Sequence, residues 1–156
     1  MANYGTIMKE KRAIKGRERV WMEIKTISFK KHGDDQGKLV YFEGLKDIPF
    51  DIKRIYYIFD VKKGARRGFH AHKELVQVLV CVKGSCKVML DDGKNKETVL
   101  LDCPTKGLVV DGIIWREMYD FSSDAVLLVM ASHYYDENDY IRNYDEFLSF
   151  VEGANE

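Results

Sequence analysis

Two of the chain's four histidines stand together in His70-Ala71-His72. On a β-strand, residues two apart project from the same face, so both imidazoles enter the same space. Imidazole is the side chain whose ordinary pKa, about 6.5, suits proton transfer near neutrality. Upstream lies Tyr56-Tyr57 within a strand-like run. One of the two phenols must face inward, where its hydroxyl can donate to or accept from a developing oxyanion. Between Asp60 and Glu74 come five basic side chains, Lys62, Lys63, Arg66, Arg67 and Lys73, and no acidic one. Beside a proton-transfer pair such a cluster can hold an anionic substrate, most naturally a phosphate. Each feature also has a purely structural use: a hydrogen-bonded core pair, a rim aromatic and a solvated turn.

The elements that must position these residues are strands. Residues 24–29 alternate, 32–37 form a polar turn, and 38–42 resume with Leu39, Val40, Tyr41 and Phe42. Residues 51–61 are rich in β-branched and aromatic side chains, which suit a pleated surface. Residues 76–82 are an almost unbroken apolar run, turned at Lys83-Gly84-Ser85 into a partner over 86–90, and Asp91-Asp92-Gly93 turns again. Further strands are predicted over 97–101, 108–110, 113–118 and 125–132. Turn signals every eight to twelve residues or so have the spacing of a sandwich or barrel. Only the end changes period: Tyr140, Tyr144, Phe147, Leu148 and Val151 predict a C-terminal helix of about three turns.

A chain of 156 residues has the size of one domain able to bury its own core. Its 25 basic and 25 acidic residues cancel, which argues against a general nucleic-acid or membrane-surface binder. No apolar run approaches the roughly 20 residues that span a bilayer, and the start does not read as a secretion signal. Three cysteines without zinc-like spacing suit reduced thiols in a cytoplasm. The zero balance hides a gradient. Residues 1–19 hold six basic and two acidic groups, whereas 134–156 hold seven acidic groups against Arg142 alone. Residues 1–20 are therefore expected to be a basic, flexible leader to a single domain over 21–156.

The spacing Gly64, His70, His72, Gln77, Gly84 has the shape of the first cupin motif. Metal-binding cupins carry a glutamate where Gln77 stands and a further histidine near Asp111-Gly112-Ile113-Ile114-Trp115-Arg116. A divalent metal wants three or four nitrogen or oxygen donors, commonly with one anionic. A neutral amide and a permanent cation beside two histidines do not meet that need, so no metal is expected.

Over residues 24–150 or so the chain resembles the dTDP-4-keto-6-deoxyglucose 3,4-ketoisomerases, non-metal cupins of bacterial sugar-nucleotide and deoxysugar biosynthesis. The likeness lies in Ile48-Pro49-Phe50-Asp51-Ile52-Lys53-Arg54-Ile55-Tyr56-Tyr57-Ile58, Arg67-Gly68-Phe69-His70-Ala71-His72-Lys73, Gln77-Val78-Leu79-Val80-Cys81 and Gly84-Ser85-Cys86. It continues in Leu90-Asp91-Asp92-Gly93, Trp115-Arg116-Glu117-Met118 and Tyr134-Tyr135-Asp136-Glu137-Asn138-Asp139-Tyr140-Ile141-Arg142. It implies an all-β fold: a cupin, or double-stranded β-helix (jelly-roll), barrel with a short C-terminal helix.

It also implies an enzyme that moves a hexose ketone from C4 to C3 through an enediol, with no cofactor and no metal. His70 and Tyr56 would be catalytic, with His72 orienting the site or aiding the proton relay. Arg67, Arg54, Lys73 and Arg116 would contact the substrate. The implied partners are a nucleotide sugar and a second copy of the chain, in a homodimer with exchanged N-terminal strands. Two departures stand out: Arg116 occupies a position that is commonly histidine, and Asp34-Asp35-Gln36-Gly37 replaces a common Asp-x-Arg-Gly turn. A dTDP-sugar epimerase and a non-catalytic sugar-nucleotide-binding cupin are the alternative readings.

Overall fold

The computed structural model describes residues 4–6 and 22–154. In chain order the strands are β1 (Tyr4–Thr6), β2 (Lys25–Ser28), β3 (His32–Asp34), β4 (Gly37–Leu39), β5 (Arg54–Phe59), β6 (Arg67–His72), β7 (Gln77–Lys83), β8 (Cys86–Asp91) and β9 (Lys96–Leu101). They continue with β10 (Lys106–Val110), β11 (Trp115–Tyr119), β12 (Val126–Ala131) and β13 (Tyr140–Ile141), and helix α1 (Tyr144–Gly153) comes last. Among the described residues, one sheet runs β1-β2-β10-β7-β12-β5 and a second runs β13-β6-β11-β8-β9, while β3 and β4 form a separate hairpin. Every pairing within these sheets is antiparallel. The expected all-β barrel with one terminal helix is what the chain forms. No described helix is long and apolar enough to cross a membrane.

The apolar alternation of each strand decides what it buries. Leu79, Cys81, Leu108, Val110, Leu127 and Val129 from the larger sheet meet Cys86, Val88, Leu90, Leu101 and Met118 from the smaller one. A second cluster lies on the other face of the larger sheet, where Ile48, with Phe42, Phe50 and Ile52, covers Val78, Val80 and Met130. Strand β7 is therefore buried on both faces, which is why its sequence is a continuous apolar run and not an alternating one. Outside the smaller sheet, Phe147 of α1 packs with Trp115, Ala71 and Ile141.

Three elements differ from the sequence reading, the first being His32–Asp34, read as part of a polar turn, which forms β3 paired with β4. The strand expected over 38–42 ends at Leu39, because Phe42 serves as a lid side chain on the second cluster and meets Phe29 edge-on at 4.7 Å. The helix begins at Tyr144, not at Tyr140. Asn143 caps it by accepting from the Glu146 N–H at 3.0 Å, and Tyr140 instead joins β13, opposite His72. Of the basic leader, only the backbone of Tyr4–Thr6 is described, paired with β2; the remainder lies outside the described residues.

The pairing that sets the site is β6 with β11. Its register slips between Arg116 and Glu117, so that Arg116 faces His70 and Glu117 faces Gly68, leaving Phe69 as the extra residue of a bulge. Gly68 at φ 93° and Phe69 at φ 59° both lie in the left-handed region. A Cβ on Gly68 would come 2.7 Å from the Arg116 carbonyl oxygen, whereas one on Gly64, at φ 78°, would meet nothing within 4 Å. Gly64→Ala should therefore show only the backbone cost, about 1–2 kcal/mol. Gly68→Ala should exceed it by roughly 1 kcal/mol or more, since β6 and β11 must separate. Urea denaturation of the two variants side by side measures the difference.

Candidate active site

An open cleft of about 600 Å³ lies against β5, β6 and the segment before α1. Strand β5 contributes Arg54 and Tyr56, which share a face because they are two apart, while Tyr57 points away and is 60% exposed. Strand β6 contributes Arg67 and His70, and the segment before α1 adds Tyr135, Tyr140 and Arg142. Arg54 lies 5.5 Å from the centres of both the Tyr56 and Tyr135 rings. Arg66, also on the cleft, is bound to Glu117 at 2.7 Å. Arg142 forks onto Glu137 at 2.6 and 2.9 Å and covers the Tyr140 ring.

Behind this lining lies a buried polar layer. The Gln77 amide donates to the Tyr56 hydroxyl at 2.9 Å, leaving the phenol's own proton available to another acceptor. The His70 and His72 rings meet edge-on at 4.9 Å, as the shared strand face requires. His72, only 1% exposed, donates from Nδ1 to the Asp139 carboxylate at 2.8 Å, and the Tyr140 ring lies 4.2 Å away. Arg116 is equally buried, and none of its guanidinium nitrogens has a hydrogen-bond partner among the described residues. His70 Nδ1 and His72 Nε2 are also buried without one.

Burial and the Arg116 charge set the protonation states. His70 is lowered to about 4, first by burial and then by Arg116. His72 is lowered to about 3 by burial, Arg116 and His70, which together outweigh its bond to Asp139. The His72–Asp139 contact at neutral pH is thus a hydrogen bond from a neutral imidazole to a carboxylate. Burial foremost, and Tyr140 next, push the Tyr56 phenol up, keeping it protonated. Arg116 falls to about 10 through burial and remains charged. One protonated phenol and two neutral imidazoles can exchange protons with a bound molecule while the arginines hold its negative charge.

Of the residues singled out in the sequence, the structure brings Tyr56, His70, Arg54 and Arg67 onto one cleft, with His72 and Arg116 behind it. Lys73 is not on the lining: its ammonium reaches the Asn138 carbonyl at 2.7 Å, and Lys62 and Lys63 are absent from the lining as well. The basic run is therefore divided, and only Arg66 and Arg67 of it face the cleft. Sequence reasoning assigned nothing to Asp139, Tyr135, Tyr140 or Arg142, although all fall in the closing run that carried the family likeness. Among the described residues no group of three or more His, Cys, Asp or Glu could hold a metal ion. With Gln77 turned to Tyr56, His72 to Asp139, and a buried cation beside both histidines, the donor set does not fit one.

A two-sheet antiparallel barrel whose polar cleft is fed by an HxH strand is a cupin. Residues 22–152 match the family model described as FdtA: WxcM-like, C-terminal. The TDP-4-oxo-6-deoxy-alpha-D-glucose-3,4-oxoisomerase of Aneurinibacillus thermoaerophilus is 57% identical over 134 residues, 86% of this chain and 96% of that protein. A 3,4-ketoisomerase from Helicobacter canadensis superposes with a TM-score of 0.81 at 51% identity, over 84% of this chain and 98% of that one. A histidine-to-asparagine variant of the 3,4-ketoisomerase from Thermoanaerobacterium thermosaccharolyticum, in complex with TDP-4-keto-6-deoxyglucose, superposes with a TM-score of 0.81 at 47% identity, over 83% and 94%. The chain belongs to the FdtA-type sugar 3,4-ketoisomerase family.

The depressed histidines link stability to pH. Unfolded, each imidazole binds its proton near pH 6.5; folded, it does so only near 4 or 3. Between those values the unfolded chain carries more protons, so stability is lost as pH falls. The melting temperature should drop from pH 7 to pH 4, and His70→Asn should flatten part of that slope. A scanning-calorimetry series across this range gives the measurement.

Proposed function

We propose that the protein converts TDP-4-keto-6-deoxyglucose into the 3-keto isomer by proton transfer through an enediol. The observation that carries this reading is a phenol and a neutral imidazole on one arginine-lined cleft, backed by a second neutral imidazole and a buried guanidinium. Deprotonation at C3, next to the C4 carbonyl, gives an enediolate, and reprotonation at C4 leaves the ketone at C3. His70, neutral and on the cleft, takes the carbon proton. Tyr56, protonated and already accepting from Gln77, exchanges protons with the two sugar oxygens. His72 supports His70 from behind. Arg116 supplies positive charge toward the enediolate, and Arg54 and Arg67 bind the diphosphate or sugar. Lys73, held by Asn138, has no part in this assignment. Identities of 57, 51 and 47% to 3,4-ketoisomerases favour carbonyl migration over the epimerase and over a purely binding role.

The same reading includes a homodimer. On β5, Ile55, Tyr57 and Phe59 are each more than half exposed on the face away from the cleft. A row of large apolar side chains on an edge strand is a surface that association would cover. Exchange of N-terminal strands would set the partner's strand beside β2 at the opposite edge, in the place the chain's own β1 takes here. Light scattering at micromolar protein should give twice the chain mass, and a monomer would remove this part.

NMR of the sugar after incubation with purified protein should show a C3 ketone without added metal or nicotinamide. Retention of the C4 ketone with solvent exchange only at C3 or C5 would point to the epimerase. His70→Asn should lower kcat by about a hundredfold or more, while TDP binding by calorimetry stays within a few-fold. Tyr56→Phe should also lower kcat, by about tenfold to a hundredfold. A near-normal rate in either variant would remove that residue from its role.

A further inference from the structure

Strand β13 and the one-turn 3-10 helix before it, Glu137–Asp139, lay a strap along β6. The strap's Asp139 makes two kinds of contact. Its Oδ1 accepts from the Glu74 N–H at 2.8 Å, and its backbone carbonyl accepts from the Lys73 N–H at 3.0 Å. Those two bonds fasten the strap to the turn after β6. Its Oδ2 does something unrelated to fastening: it receives His72 Nδ1 at 2.8 Å. A carboxylate can only accept, so the imidazole must present Nδ1–H to it. The other ring nitrogen then carries the lone pair, and Nε2 is the atom that lies buried with no partner among the described residues.

We propose that Asp139 is a positioning residue that locks His72 in the Nδ1–H tautomer, so that His72 Nε2 is held as an open proton acceptor behind His70. This rests on the 3,4-ketoisomerase reading of the site and deepens it. His70 lines the cleft and gains a proton when C3 is deprotonated. An imidazolium there stands near the permanent Arg116 charge, because β11 sets Arg116 directly opposite His70. Asp139, whose field also reaches Arg116, is the anion that offsets this local positive charge. With its Nδ1–H fixed, His72 keeps a lone pair at Nε2 and presents no competing donor behind His70. The balance is simple: the proton leaves C3 for the His70 imidazole, is held there, and returns to C4. No oxidant or reductant enters.

Asp139→Asn separates the positioning role from the fastening role. Asparagine Oδ1 can still accept from the Glu74 N–H, so the strap remains tied. The amide nitrogen then faces His72 Nδ1 and must donate to it, which reverses the tautomer. In wild-type protein labelled with 15N-histidine, two-bond 1H–15N correlation should assign His72 as Nδ1–H, and Asp139→Asn should move it to Nε2–H. The kcat of Asp139→Asn should fall by about tenfold to a thousandfold, with KM within about threefold, as expected when a wrong tautomer is imposed on an otherwise intact site. The Asp139→Asn/His72→Asn pair should then fall well short of the product of the two single losses, because Asp139 acts mainly through that ring, with only its field at Arg116 left to lose.

A wild-type Nε2–H tautomer, an unchanged kcat in Asp139→Asn, or losses that multiply in the double variant would each overturn the proposal. If Asp139→Asn does not fold, the wild-type tautomer still decides the matter. Wild-type protein that leaves TDP-4-keto-6-deoxyglucose unchanged would defeat the functional reading instead, while the NMR assignment of His72 would stand independently.

Discussion

A guanidinium sealed inside a barrel without a hydrogen-bond partner among the described residues is the constraint to which the rest of the site answers. An unpaired interior charge costs several kcal/mol after relaxation, and Arg116 remains charged despite being 1% exposed. Its surroundings lessen that cost in two ways. Tyr56, Tyr140 and Asp139 all act to favour the charged form, and both neighbouring imidazoles give up their protons and add no repulsion. In the proposed reaction an enediolate would add negative charge near the guanidinium only transiently, so the interaction would strengthen where the barrier lies and be weaker with the neutral ketone.

Holding that charge beside two histidines requires β6 to be gripped along both edges. On one side the β6–β11 bulge sets Arg116 against His70. On the other, β13 pairs Tyr140 with His72 and Ile141 with Ala71. The second pairing is only two residues long, and anchors on either side of it sustain it. Ile141 is buried with Ala71, Trp115 and Phe147, so α1 fastens the strap hydrophobically, while Asp139 fastens it by hydrogen bonds. The left-handed backbone at Phe69 is a local strain maintained by this two-sided grip, adjacent to the residue that would do the chemistry.

Much of this is legible in the sequence because it is local. The period-two rule puts His70 with His72 and Arg54 with Tyr56, and the barrel does the same. The family likeness extends to the closing run that forms the strap, but local rules misread its role. Tyr140, Tyr144, Phe147, Leu148 and Val151 satisfy helical spacing, yet Tyr140 belongs to a strand because its partner is His72, remote in sequence. Asp139 escapes notice for the same reason: in a segment with seven acidic groups, nothing local distinguishes the one that folds back onto β6. The basic run from Lys62 to Lys73 is divided for the opposite reason. Proximity along the chain suggests one phosphate site, but alternation and the turn send Lys73 to Asn138 and only Arg66 and Arg67 to the cleft.

The same geometry explains why a cupin scaffold here suits proton chemistry better than metal chemistry. The nearby groups that might ligate an ion have other uses. Gln77 offers its amide to Tyr56, and the Asp139 carboxylate is turned to the Nδ1 of His72. The remaining lone pairs, on neutral imidazoles, sit within the field of Arg116, which opposes a divalent cation as it opposes imidazolium. Replacing an anionic ligand with an amide and adding an interior cation thus reverses the sign of the cavity. A pocket that would stabilise a cation becomes one suited to an oxyanion, with the histidines left neutral.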